Sequence, residues 1–467
     1  MRILHVSTAD ILGGAELNAF EMTKHLRDRG HDCNLVVGQK LSHEPWVYKL
    51  PYGAPHTQWQ RFGWSLYESV RRNTPENAIG KVVRRAAHFA ADPADMIMKA
   101  YDQEMGIEDF HFPASRLALS LPEHTPEIVH CHNLHGNYFD LTWLPELSKQ
   151  LPVILTLQDM WTLTGHCAYA LDCGRWETGC GKCPDLNRYP AKKRDATAYN
   201  WKRKRDIYSR SKLYICAASQ WLMDQVNKSM LLPAAVEQRV IVNGADLATF
   251  HPGDKMAARR ALDLPEDHII LLASGGGFRT NMWKDYNTLR ASLDILSMRL
   301  PETKITCVIV GETGEPEKSG HITVRFEPFR RDMERMARFY QSADIYTHSS
   351  RAEVFSLAVL EALACGLPVV ASNVGGTPEQ LLPLQKPGGD AFVDQDRATG
   401  ILTIPSDPKD FARAVELLIK APELRAQIAD NAARDAAARF GFDRVVNESL
   451  SWYEEILECR RAESMKN

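Results

Sequence analysis

The sequence predicts an α/β protein made of two doubly wound units in tandem. Two series of apolar runs flanked by glycine or proline carry this expectation, each series interleaved with amphipathic helices. Between them lies a turn signal at Asn243-Gly244 followed by Pro252, which blocks continued regular structure. At 467 residues the chain has room for two such domains, each with its own core.

The first series comprises residues 3–7, 33–37, 128–131, 153–157 and 213–217. These runs are almost wholly apolar, as parallel strands covered on both faces must be. The second series comprises residues 269–273, 304–310, 345–348 and 367–371. Tandem units of this kind place ligands at the carboxyl ends of their strands. The expected domains are residues 1–250 and 251–443, with a helix over 444–467 that has no strand after it and could pack on either domain, including back onto the first. Residues 42–114 interrupt the first unit with Trp46, Trp59, Trp64 and Tyr67 and a basic helical stretch, an insertion long enough to form a subdomain or serve a function.

Formal net charge is −3, with 44% hydrophobic and 25% charged residues, the balance of an ordinary globular protein and no argument for a nucleic-acid partner. The run Lys202-Arg203-Lys204-Arg205 reads as a solvated helix face. No apolar stretch approaches the roughly 20 residues needed to cross a bilayer, and the chain enters its first strand without a signal-peptide core. A cytoplasmic protein is expected, with peripheral contact at the inner face of the cell membrane. Basic pairs such as Arg84-Arg85 and Lys192-Lys193 could attract anionic headgroups or a lipid-linked acceptor's phosphate.

Residues 350–379, SRAEVFSLAVLEALACGLPVVASNVGGTPE, hold the most informative pattern. Ser356 is placed to cap a helix that ends before Gly366. Glu353 sits in the loop feeding that helix, and Glu361 lies on it as the only charged residue between Glu353 and Glu379. A lone carboxylate in so apolar a helix needs hydrogen-bonding partners. Sugar hydroxyls suit it, since a carboxylate only accepts. Amides at Phe355, Ser356 and Leu357, with Gly375, Gly376 and Thr377, could cradle a diphosphate, because glycine permits close approach and a helix start favours anions.

This segment resembles the Glu-x7-Glu motif of retaining GT-B glycosyltransferases of family four, the glycosyl transferases group 1. The resemblance implies two Rossmann-like domains facing each other across a cleft, with Glu361 on the donor's ribose and Glu353 on its sugar. It also implies a donor that is a UDP or GDP sugar, no catalytic metal, and domain closure that excludes water. Arg279 and Lys284, in the glycine-led GGGFRTNMWKD after a predicted strand, match the family's phosphate clamp at the same spacing. They would neutralise charge as the leaving diphosphate forms. Gly13, Gly14 and Glu16 resemble the family's first glycine-rich loop, which faces the donor phosphates and the acceptor. His132, at the end of the strand in IVHCHNLHGNYF, matches the histidine near the reacting sugar, and His135 competes for that role.

Cys167, Cys173, Cys180 and Cys183 fall within 17 residues. Four thiols and a C-x2-C knuckle suit tetrahedral zinc, so a structural zinc is weighed against an unmetallated loop. This loop at 165–186, with residues 109–113 and 133–141, looks like a subgroup that builds bacterial surface polysaccharides. Gln158 departs from it, standing where many relatives carry histidine before the aspartate. The implied activity is retaining hexosyl transfer to a hydroxyl of a glycan or lipid-linked acceptor. Its rivals are a nucleotide-sugar epimerase of the same architecture and a catalytically silent sugar-binding subunit. Oligomeric state, donor identity and linkage stay open.

Overall fold

The computed structural model describes residues 1–51, 58–328, 332–389 and 391–466. The chain divides into two compact units, one of Met1–Ala217, Leu222–Val240 and Leu450–Asn467, the other of Ala218–Trp221 and Ile241–Ser449.

In the first unit seven strands form one sheet: β1 (Arg2–Ala9), β2 (Asp32–Gln39), β3 (Val47–Lys49), β4 (Ile128–His132), β5 (Val153–Leu157), β6 (Leu213–Ala217) and β7 (Ala235–Val240). Their order is β3-β2-β1-β4-β5-β6-β7 and all pairings are parallel. Chain order reverses between β1 and β4, so loops leaving those two strands border the crevice where doubly wound sheets bind ligands. The helices over this stretch are α1 (Gly14–Asp28), α2 (Gln58–Asn73), α3 (Ala78–Ala91), α4 (Pro93–Met105), α5 (Leu144–Gln150), α6 (Thr197–Tyr208) and α7 (Gln220–Val226). The central strands β4 and β5 are buried at every position, which explains their unbroken apolar reading.

The insertion contributes β3 to the sheet edge and the three helices α2–α4. Trp46 packs with Leu35, Val37 and Val47, and Tyr67 shares a small core with Ala91. These two aromatics therefore serve local packing. The side chains of Trp59 and Trp64 lie outside the described residues.

The second unit repeats the plan with β8 (Ile269–Ser274), β9 (Ile305–Val310), β10 (Glu317–Ser319), β11 (Ile322–Glu327), β12 (Ile345–His348), β13 (Val369–Ser372) and β14 (Gly400–Thr403). The order is β10-β11-β9-β8-β12-β13-β14, parallel except for the β10–β11 hairpin. Its helices are α8 (Lys255–Ala261), α9 (Tyr286–Arg299), α10 (Met333–Ser342), α11 (Leu357–Ala364), α12 (Thr377–Gln380), α13 (Pro408–Lys420) and α14 (Pro422–Arg439). Leu271, Leu293, Ile309, Val370 and Phe411 are among the fully buried residues of its core. Here the reversal falls between β8 and β12, the strands that lead into residues 275–285 and 349–356. The last helix, α15 (Phe442–Lys466), begins in the second unit and ends in the first. The expectation of two doubly wound units holds, with the antiparallel hairpin as an addition that the apolar pattern did not signal.

Candidate active site

In the second unit the two loops at the reversal are laced together. Ser349 Oγ donates to the carbonyl oxygens of Lys284 and Asp285, and the Arg351 amide donates to the Trp283 carbonyl. Asp285 sits in the left-handed region, φ 45°, at the start of α9. Its carboxylate accepts from Thr288 and Ser406 and lies 3.2 Å from Arg351. This lacing fixes Lys284 next to Glu353, with Nζ 3.3 Å from Oε2. His348 closes the group from the end of β12, its Nε2 3.5 Å from the same oxygen.

Burial by itself would raise the Glu353 pKa, but the Lys284 ammonium and then His348 outweigh it and bring the pKa down to about 2. Burial holds His348 below its ordinary value despite the carboxylate, so it stands as a neutral imidazole near pH 7. A fixed anion beside a fixed cation, with a neutral donor between strand and loop, can hold sugar hydroxyls in one orientation.

Glu361 differs. Burial raises its pKa to about 7, and among the described residues its side-chain partner is the Tyr340 hydroxyl, which donates to it at 2.8 Å. The partner is thus a neutral phenol instead of an arginine, leaving carboxylate lone pairs for further donors. Helix α11 that carries Glu361 is held at its start by Gln380, which accepts from the Ser356 amide and donates to the Ser356 carbonyl. Ser356 occupies the cap position without a side-chain bond of its own. Phe355 and Leu357 flank it, with Phe355 buried against Phe440.

The glycines divide into two kinds. A Cβ at Gly375 would lie 1.8 Å from the Glu353 carbonyl oxygen, and one at Gly376 would lie 2.0 Å from that of Val354. They are glycine so that this turn can press on the backbone carrying Glu353. The amides of Val374, Gly376 and Thr377 are already donated to Ser372, Glu353 and Val374, so a diphosphate cradle built from these amides is largely pre-empted. Gly276, by contrast, faces open space, while the Gly275 position packs on the Lys284 side chain. Space beside the backbone is therefore open at Gly276, in the loop after β8. Arg279, from that same loop, is engaged within its own surroundings: its guanidinium bonds to the Thr313 carbonyl and Glu317, lies 3.6 Å from the Glu312 carboxylate and sits over the Phe326 ring.

In the first unit, the loop after β1 is tied down by Asp10, whose carboxylate accepts from the amides of Leu41 and Ser42. Gly13 caps α1, and a Cβ there would sit 2.8 Å from the Glu16 carboxylate; Gly14 opens the helix. His132 lies elsewhere than a substrate-facing role requires. It is buried in the sheet, bonded through Nε2 to His5 Nδ1, and burial drives its pKa down to about 3. The histidine at a cavity is His135, 2.8 Å from Asp159. Burial opposes protonation of His135, but the Asp159 carboxylate, with Glu16 adding to it, raises its pKa above the ordinary value. A cavity of about 190 Å³ opens there between Phe110, Trp161, Tyr189 and Lys192. The Asn133–Asn137 loop reaches this position through left-handed residues Asn133, Gly136 and Asn137. Gln158-Asp159 thus acquires a structural use for its aspartate.

Neither candidate metal cluster fits. The four loop cysteines are unbridged and partly buried, and burial raises Cys167 to about 11 and Cys180 to about 12. Among the described residues the group of three potential ligand atoms within 4.8 Å of one another is His5, His130 and His132, so the sulfurs do not converge as tetrahedral zinc would require. The three histidines converge, but as a stack. His132 is tilted only 14° from His5 and 23° from His130, and a metal must lie in the plane of each ligating ring. His130 is moreover engaged on both nitrogens, by Tyr453 and Thr156.

Residues 254–435 match the family described as glycosyl transferases group 1. Glu353, Glu361, Arg279 and Lys284 all fall inside the matched stretch. D-inositol 3-phosphate glycosyltransferase 2 of Catenulispora acidiphila is 35% identical over 236 residues, 47% of this chain and 51% of that protein. The putative colanic acid biosynthesis glycosyl transferase WcaC of Escherichia coli is 27% identical over 282 residues, 58% and 65% of the two chains. The chain thus spans about half to two thirds of the length of these curated relatives. The crystal structure of HepE of Anabaena in complex with UDP and glucose superposes with a TM-score of 0.60 at 17% identity, covering 97% of this chain and 99% of that one. The fold is GT-B.

Sequence reasoning missed His348, Tyr340, Gln380 and the Ser349–Asp285 lacing. Tyr340 and Gln380 enter from elements more than 20 residues from their partners, and His348 and Ser349, although only a few residues before Glu353, carry no local motif.

Proposed function

We propose that the protein is a retaining glycosyltransferase that moves a hexosyl group from a nucleoside diphosphate sugar to a hydroxyl of a glycan or lipid-linked acceptor in bacterial surface polysaccharide synthesis. The observation that carries this is the Lys284–Glu353–His348 group placed eight residues before a second carboxylate, Glu361, which among the described residues has a neutral phenol and no cation as its side-chain partner. Glu353 with its cation orients donor sugar hydroxyls. Glu361 accepts from the ribose. Negative charge grows on the diphosphate as the glycosidic bond breaks, and Lys284, the open backbone at Gly276 and, once released from Glu317, Arg279 stabilise it. The acceptor hydroxyl forms the new bond on the same face, and its proton passes to a donor phosphate oxygen, so the chemistry needs no separate protein base. His135 and Asp159, with Gly14 and Glu16 from the loop and helix that follow β1, are assigned to acceptor hydroxyls in the aromatic-lined cavity.

HepE crystallised with UDP and glucose, which makes UDP-glucose the first donor to try. WcaC's name associates that relative with colanic acid, a reason to favour polysaccharide over inositol phosphate acceptors. An epimerase would convert the donor without any acceptor, and a silent subunit would bind without turnover. The test is release of UDP from UDP-sugars, with Glu353→Ala and Lys284→Ala as controls. Each variant is expected to keep its fold and lose turnover by a factor of about 100 or more. Undiminished release in both would remove the assignment.

A further inference from the structure

We infer that helix α3 of the insertion, with the basic cluster beside it, is a docking surface for an anionic lipid bilayer. The helix is turned inside out relative to an ordinary surface helix, which buries its large apolar residues and exposes its small and polar ones. It buries Gly80 and Ala91. A Cβ at Gly80 would lie 1.9 Å from the Pro75 carbonyl oxygen in the link before the helix, and one at Gly63 of α2 would lie 2.8 Å from Ala91 Cα, so α3 turns its small residues inward, with Tyr67 of α2 packed on Ala91. Its large apolar side chains point out instead: Ile79 is 73% exposed, Val82 66%, Val83 41% and Phe89 47%. With exposed Ala86 and Ala90 they recur at three- and four-residue intervals and make one continuous stripe. The next helix, α4, buries none of its residues and exposes Ile97 and Met98.

Charge selects the occupant. Residues 58–91 hold six basic and two acidic side chains in a protein whose net charge is −3. Arg71, Arg72, Lys81, Arg84, Arg85 and His88, with Glu76 as the one acid of the lining, surround a cavity of about 540 Å³, and Glu68 lies 3.5 Å from Arg71 and 3.9 Å from Arg72, so cations remain in excess. Arg84 is fixed there by the carbonyl oxygens of Thr74 and Pro75, while Lys81 and Arg85 are exposed. An apolar stripe flanked by cations matches the interface of an anionic bilayer, where the stripe enters the headgroup and acyl boundary by about 5–10 Å and the cations meet phosphates. A second copy fits less well, since self-complementary pairing would bring two basic clusters together. Among the described residues no helix is long and apolar enough to cross a membrane, so the contact is with the surface.

This inference is independent of the transfer reaction and is read without it. The purified full chain is sedimented with vesicles of phosphatidylcholine alone and of phosphatidylcholine mixed with phosphatidylglycerol. Binding is expected to be at least tenfold stronger to the mixed vesicles, to weaken in high salt, and to fall at least tenfold in Val82→Glu with Phe89→Glu and in Lys81→Glu with Arg85→Glu. All four positions are exposed, and an unchanged thermal unfolding midpoint verifies that the variants fold. Equal binding to both vesicles, or undiminished binding by the Val82→Glu/Phe89→Glu protein, overturns the inference. So does concentration-dependent dimerisation, abolished by the same variant, in a protein that ignores vesicles.

Discussion

Glu353 and Glu361 lie on one loop and its helix, yet their surroundings set them in opposite states. Lys284 holds the first ionised at any working pH, with a pKa of about 2; burial brings the second to about 7. A ribose hydroxyl donates more strongly to the ionised form of Glu361, whose oxygens only accept, than to the neutral acid. Ionised Glu361 increases as pH rises through 7, so affinity for UDP should grow about tenfold between pH 6 and pH 8. Titration calorimetry at the two pH values checks this, and Glu361→Gln should remove that part of the dependence. The carboxylates themselves were legible because charge stands out in an apolar helix. What decides their state was not, because Tyr340 and His348 carry no mark in the linear sequence of belonging to this site. The misplacement of His132 has the same origin: position along a strand indicates which face a histidine takes, and here His5 and Tyr453 had already filled that face.

At the scale of one element, α6 shows a signal that was present and outweighed. Its buried residues are Thr197, Asn200, Trp201, Lys204, Ile207 and Tyr208, which is helical periodicity with a lysine on the core face. Composition suggested a solvated KRKR run; the period points instead to Lys204 as an interior residue. Its ammonium pairs with Glu108 at 2.8 Å, donates to the carbonyl oxygens of Trp161 and Thr164, and lies over the Trp161 ring. The element thereby ties down the segment that follows Asp159. Lys204→Met would strand the Glu108 carboxylate in the interior, costing about 3–5 kcal/mol. Replacing Glu108 with leucine in the same protein should restore much of that loss, since a fully apolar pair leaves no unpaired charge. Urea unfolding of the single and double variants reads both values, and a single variant as stable as the parent would deny the lock.

At the scale of the whole molecule, the chain completes its first unit last. Residues 450–466 of α15 belong to that unit, although the same helix begins in the second. Local reading left open which domain this helix joins and could not locate the change of unit, because the helical pattern runs through it without a break; strands and turns marked the two sheets, but only tertiary packing assigns a helix to a core. Trp452 and Tyr453 are fully buried, with Ile456 beneath them at 1% exposure, and Tyr453 bonds to His130 in the middle of the sheet. Deleting one such aromatic costs about 3–5 kcal/mol, against about 5–15 kcal/mol for the stability of a typical domain. Trp452→Ala should therefore lower unfolding free energy by an amount in that range. Removal of residues 450–467 takes away several such side chains together and should exceed what the first unit can lose. Limited proteolysis would then cut throughout residues 1–240 while residues 241–449, whose sheet and core are their own, resist. A truncated protein in which both stretches resist equally would mean that the last helix adds little to the core it enters.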